Sequence, residues 1–167
     1  MKKVAILLGV ALAIGLVAQV SGASSTQSEM LEFDKLAGVN GPFVGTANPI
    51  RGVSGGGLPW QIAAAEGHVL PSGRLHVEVQ GLVLLDAAPV PPELQGTNPV
   101  PFFKVVVSCL TTMNGAAVRR NVSTHQFPAT TAGDAMVTAR VMLPRPCFAP
   151  ILFVTSPTDA WFAVTGR

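Results

Sequence analysis

Asn98-Pro99-Val100-Pro101-Phe102-Phe103-Lys104-Val105-Val106-Val107-Ser108-Cys109-Leu110 is the most strand-like run of the chain and carries one of its two cysteines. β-branched and aromatic residues dominate it, and two prolines mark where it begins. The other cysteine, Cys147, stands in a proline-rich turn just before a second apolar run, Ile151-Leu152-Phe153-Val154. We read the two runs as central core strands joined by a Cys109–Cys147 disulfide. Alternation places Cys109 on the same face as Phe103, Val105 and Val107, pointing inward.

Other strands follow outward from this pair. Leu75, Val77, Val79, Val83 and Leu85 alternate with Arg74, His76, Glu78 and Gln80. Period two over this length predicts a half-buried antiparallel strand, with Gly81 marking a bulge or a close backbone approach. Trp60 to Ala64 and the residues up to Leu70 form its partner. Pro71-Ser72-Gly73 between them fits a three-residue hairpin loop with Gly73 in the left-handed position. Asn114-Gly115 predicts a tight turn, returning along Ala117 to Thr124. Ala135, Val137, Ala139, Val141 and Leu143 alternate again, and Ala160 to Thr165 closes the chain. Gly38 to Gly57 reads as loop with one short strand near Phe43-Val44, and Met30 to Leu36 as a helical turn or a first strand. The prediction is an all-β, antiparallel β-sandwich of seven to eight strands, immunoglobulin-like in architecture, with a jelly roll as the alternative. The chain has no tyrosine, so the tyrosine corner of some such domains is excluded.

The N-terminus reads as an address. Met1-Lys2-Lys3 is basic, Val4 to Ala18 is apolar, and Ser21-Gly22-Ala23 supplies small residues for a cut after Ala23. The apolar run is shorter than the roughly 20 residues of a membrane span. Expected organisation is therefore a signal peptide at 1–23, a flexible segment at 24–40 and a sandwich domain at 41–167. The expected location is secreted, periplasmic or at the cell envelope. Of the 11 Lys and Arg, Lys2 and Lys3 leave with the signal, so nine basic residues face nine acidic ones. A neutral mature chain without a basic run offers no electrostatic case for nucleic acid or an anionic membrane. Charged residues are 12% of the chain, about half the usual share, so Ser, Thr, Asn, Gln and Gly must cover much of the surface.

Four blocks carry a resemblance. They are Gly96-Thr97-Asn98-Pro99-Val100-Pro101-Phe102-Phe103-Lys104, Val106-Val107-Ser108-Cys109-Leu110, the run from Ala149 to Pro157, and Ala160-Trp161-Phe162-Ala163-Val164. Across roughly Gly55 to Gly166 the chain resembles small exported bacterial proteins of unassigned function. The resemblance implies a bacterial origin and an all-β fold, and it carries over no functional residue.

Candidate chemistry is sparse. Gly52-Val53-Ser54-Gly55-Gly56 matches G-x-S-x-G, but a nucleophile elbow needs a helix after the serine, and three glycines and Pro59 forbid one. If Pro71-Ser72-Gly73 is a three-residue loop, His68 lies opposite His76 and Glu66 opposite Glu78. Imidazole and carboxylate are usual metal ligands, yet this hairpin has no evident groups to orient them, so no metal and no cofactor are expected. Asn121-Val122-Ser123 is a literal glycosylation sequon, read as chance in an exported bacterial protein. Trp60 and Trp161 are read as packing residues. Asp86 to Pro101 holds prolines 89, 91, 92, 99 and 101, and is expected as a stiff, partly polyproline connection. Within it Pro89, Pro91 and Pro92 are the candidate docking edge for another envelope or extracellular protein. The function expected is a non-catalytic binding or structural module. The alternative is an extracellular hydrolase acting on a wall or matrix polymer.

Overall fold

The computed structural model describes residues 28–165. The expected signal peptide at 1–23 lies outside them. The strands are β1 (Leu31–Phe33), β2 (Leu36–Gly38), β3 (Trp60–Gln61), β4 (Ala64–Val69), β5 (Arg74–Gln80) and β6 (Val83–Leu84). They continue with β7 (Phe102–Met113), β8 (Ala116–Ser123), β9 (Phe127–Pro128), β10 (Ala135–Arg140), β11 (Phe148–Thr155) and β12 (Trp161–Thr165). Seven of these are five residues or longer, and the other five are pairs or triplets. All ladders between them are antiparallel. One sheet runs β1-β4-β5-β10. The larger runs β2-β12-β11-β7-β8, with β9 beside the start of β7, and β3 pairs β6 separately. This is an all-β sandwich. Among the described residues no helix is long and apolar enough to cross a membrane.

β7 lies in the middle of the larger sheet, and its composition explains why. Phe103, Val105, Val107 and Cys109 are fully buried on one face, which shares the apolar core with Leu75, Val77, Val79 and Val137 of the smaller sheet. Val106 and Ser108, on the opposite face, are buried as well. Antiparallel sheets commonly leave one face to water. Here the second face is covered by the segment from residue 40 to residue 57. Gly56 N–H donates to Trp161 O at 2.8 Å, Trp161 N–H donates to Ser54 O at 2.9 Å, and Phe43 packs on the Trp161 ring at 6.4 Å. A Cβ at Gly55 would overlap the carbonyl oxygen of Phe43, so the segment lies this close only because position 55 is glycine. Trp60 stacks on Phe162 at 3.9 Å and meets Phe103 edge-on. Both tryptophans are core residues, as their sequence context predicts.

Several expectations are corrected. The sequence predicts a flexible segment at 24–40 that precedes the domain, but its described part, from residue 28, does not fit that reading. Instead β1 pairs with β4 and β2 with β12, so residues 31–38 supply an edge strand to each sheet. Leu36 and Val39 are buried, and that apolar burial holds them in place. The short strand expected near Phe43-Val44 is a 3-10 turn, Gly41–Phe43, opened by Asn40 Oδ1 accepting from Gly41 N–H at 2.7 Å. The strand expected to run from Leu75 to Leu85 breaks at Gly81, whose φ is 64°. Beyond it Leu82 N–H turns away to Gly133 O, and β6 pairs with β3.

The disulfide joins Cys109 to Cys147, with Cα atoms 5.0 Å apart. Cys109 is in β7 and Cys147 immediately precedes β11, the neighbouring strand of the same sheet. The bond therefore reinforces one sheet and does not cross between sheets, unlike the hallmark bond of antibody domains. It closes a separation of 38 residues, which the chain-entropy model converts into roughly 3–4 kcal/mol of stabilisation. The paired substitution of Cys109 and Cys147 to Ala should lower the unfolding free energy in urea by about that amount. Intact mass of the native exported protein should show no alkylatable thiol, and two free thiols would contradict the assignment.

Candidate functional site

The β4–β5 hairpin is built as its sequence requires. Leu70 N–H donates to Arg74 O at 2.8 Å, Gly73 has φ 81°, and the register pairs His68 with His76 and Glu66 with Glu78. Two neighbours that periodicity alone does not reveal extend these rows. β1 places Glu32 opposite His68, and β10 places Thr138 opposite His76. A continuous row Glu32–His68–His76–Thr138 therefore crosses the open face of the smaller sheet. The imidazole centroids are 6.1 Å apart, His76 Nδ1 is 3.0 Å from Thr138 Oγ1, and His68 Nδ1 is 3.8 Å from Glu29 Oε1. Glu32, Asp34, Glu66, His68 and His76 line a shallow depression of about 480 Å³ with Phe33 and Gly67.

Each histidine thus has its own polar neighbour at Nδ1, Glu29 for His68 and Thr138 for His76. Among the described residues, no three His, Cys, Asp or Glu side chains come together to hold a metal ion. The chemistry available on this face is weak, solvent-screened attraction for cationic groups.

A second depression, about 430 Å³, lies on the covered face of the larger sheet. Gly52, Val53 and Ser54 form one wall, Asn121 and Ser123 of β8 the floor, and Thr158 to Ala160 the far side. Lys104 Nζ donates to Asp159 Oδ1 at 2.6 Å, and Ser123 Oγ approaches the same oxygen at 3.4 Å. Ser54, the serine of the G-x-S-x-G match, sits here on a loop between two isolated bridges, Ile50 with Val53 and Gly55 with Trp161. No helix follows it, and no histidine lines the depression. A serine nucleophile needs an adjacent base, and this one faces an asparagine and a carboxylate already paired with Lys104. Nearby, Arg51 reaches across β7. Its carbonyl accepts from Asn121 Nδ2 at 3.1 Å on β8, while its Nη2 donates to Ala149 O at 3.0 Å on β11. Asn121 of the sequon is thereby engaged in holding this loop to the sheet.

The proline-rich connection differs from a polyproline rod. Val90 N–H donates to Ala87 O, Leu94 N–H to Pro91 O and Thr97 N–H to Leu94 O, so the segment is a series of turns. Val90 is buried in the core, and Gln95 Nε2 donates back to its carbonyl at 2.8 Å. Pro89 and Pro92 are exposed and Pro91 is half-buried. The three prolines form a turn surface, with no straight edge along which an extended chain could lie.

No family model, no curated protein and no solved structure matches the chain. Sequence spacing alone located the His–His and Glu–Glu pairs. It missed Glu32, Thr138 and the Ser54–Asn121–Asp159 depression, because these juxtapositions come from long-range strand order. After dialysis against a metal-free buffer, elemental analysis of the mature protein should find no stoichiometric zinc or copper. Retention of either metal by the protein, with loss on His68→Ala, would show that the hairpin face ligates it.

Proposed function

We propose that the chain is an exported, non-catalytic β-sandwich acting as a binding or structural module of the cell envelope or extracellular space. The observation that carries the reading is the Cys109–Cys147 bond, whose Cys109 half is fully buried in the core. A buried structural disulfide belongs to an oxidising compartment. The signal-like residues 1–23 and the sparsely charged surface point the same way. The non-catalytic part of the reading is supported by the placement of polar groups. They lie on open sheet faces and in shallow depressions, with His68 beside Glu29 and His76 beside Thr138, while the core is built of aliphatic and aromatic side chains. Immunoglobulin-like architecture is part of this proposal only in the loose sense of two packed antiparallel sheets.

Expression of the full chain in a host with a periplasm tests the address. The expected product outside the cytoplasm begins at Ser24 and has 144 residues, 167 less 23. A reduced, uncleaved protein held in the cytoplasm would overturn the export reading. The proposed partner is another envelope or extracellular protein, docking on the turn surface of Pro89, Pro91 and Pro92. Exchanging residues 88–95 for a Gly/Ser linker also removes Val90, which should cost about 2 kcal/mol of stability. The informative variant is therefore Pro89→Ser with Pro92→Ser, both exposed. Lost capture at an unchanged melting temperature supports the docking surface, and capture unchanged removes it.

A further inference from the structure

Two free sheet edges of opposite charge lie in different sheets of the same chain. The first is β8, the terminal strand of the larger sheet, which pairs only with β7 along Ala116–Ser123. Its eight residues are exposed or half-buried, and its outward N–H and C=O groups have no backbone partner among the described residues. Arg119 and Arg120 sit at its centre, one on each face. Between Glu93 and Asp134 the sequence has no carboxylate side chain, so nothing on β7, β8 or β9 neutralises them. The Arg119 guanidinium lies against Gly52, where a Cβ would overlap it.

The second is β1, the terminal strand of the smaller sheet, which pairs only with β4. The stretch through it is Ser28-Glu29-Met30-Leu31-Glu32-Phe33-Asp34, with bends at Met30 and Asp34 on either side of the three-residue strand. Met30 N–H already bonds Val69 O on the β4 side, which leaves the opposite side of the run open among the described residues. Glu29, Glu32 and Asp34 are exposed. Glu29 Oε1 lies 3.8 Å from His68 Nδ1 and Glu32 stands opposite His68, so these two carboxylates gather on the open face at this edge.

We propose that β1 of one copy adds to the β8 edge of the next, giving a head-to-tail assembly in which sheets continue from molecule to molecule. Unpaired edges are templates for such pairing, with main-chain hydrogen bonds supplying affinity. Charge selects the occupant. Opposite charges across a strand pair stabilise it and like charges oppose it. Two β8 edges brought together around their centres would face arginine with arginine. A β1 edge meets Arg119 and Arg120 with three exposed carboxylates, Glu29, Glu32 and Asp34. Because donor and acceptor edges differ, the contact is heterologous and leaves each end free to grow. This rests on the structural half of the function proposed above, and a monomeric protein would leave export and binding to a different partner untouched.

The test is sedimentation velocity of the mature chain from Ser24 over a range of concentrations. Wild type should grow into a series of oligomers at about 0.02 M salt, with association weakened roughly tenfold or more at about 0.5 M. R119E/R120E alone and E29K/E32K alone should each stay monomeric, with circular dichroism and melting showing that both are folded. An equimolar mixture of the two should assemble, since each then meets an edge of opposite charge. If a reversal impairs folding, R119Q/R120Q and E29Q/E32Q replace it, with weakened association expected from each. Arginines that merely guard the edge predict a wild type that is monomeric throughout, which overturns the proposal. A species that stops at a dimer, association indifferent to both reversals, or a mixture that stays monomeric overturns it equally.

Discussion

Burial of β7 on both of its faces is the constraint from which the rest of the architecture follows. A strand with Val105, Val106, Val107, Ser108 and Cys109 in succession cannot leave either face to water without exposing apolar surface. One face takes the smaller sheet. The other requires a cover, and the glycine-rich segment between Val39 and Trp60 becomes that cover. Its glycines let backbone approach backbone, and its hydrogen bonds run to Trp161 and to the rim of β8. Once that layer is in place, Trp161 and Phe153 are interior residues of an antiparallel sheet that would otherwise be one-sided. The disulfide secures β7 to β11 beside this doubly covered region, where the strand register shifts between Phe148 and Ile151.

Local chemistry made a large part of this legible. Pro71-Ser72-Gly73 fixes a loop length, loop length fixes register, and register places His68 beside His76. Asn114-Gly115 gives the β7–β8 turn for the same reason. Alternation gives Val105 and Val107 an inward face, but it does not anticipate that Val106 and Ser108 are covered as well. The features that escaped are those decided at a distance. Gly81 reads as a bulge within one strand, but Gly133 captures the next N–H, and the chain changes partner there. Leu31–Phe33 and Leu36–Gly38 are too short for periodicity to count, and they become strands only because β4 and β12 offer open edges. Prolines at 89, 91 and 92 suggest extension, whereas the burial of Val90 bends the segment into turns.

Charge tells a similar story at the scale of the whole chain. Nine basic and nine acidic residues after Ala23 sum to neutrality, and neutrality suggests an electrostatically bland surface. The topology separates what the count cancels. Glu32, Glu66 and Glu78 gather on the open face of the smaller sheet, with Glu29 and Asp34 at its β1 edge, while Arg119 and Arg120 occupy the far edge of the larger one. With few other charges on the surface to screen or balance them, these groups set the sign of the potential at each edge.

That separation also bears on why the sequence carries no recognisable site. Catalysis and metal binding leave signatures because they demand particular side chains at particular spacings. Recognition through sheet edges makes no such demand. The hydrogen-bonding groups are main chain and common to every residue, and side chains contribute only alternation, charge and the absence of an obstruction. A protein working this way would show regular strands, a rigid core and one stabilising covalent bond, with its specificity spread over a few exposed charges. This chain displays the strands, the core and the bond, and the exposed charges of β1 and β8 are where the assembly proposed above would take its specificity.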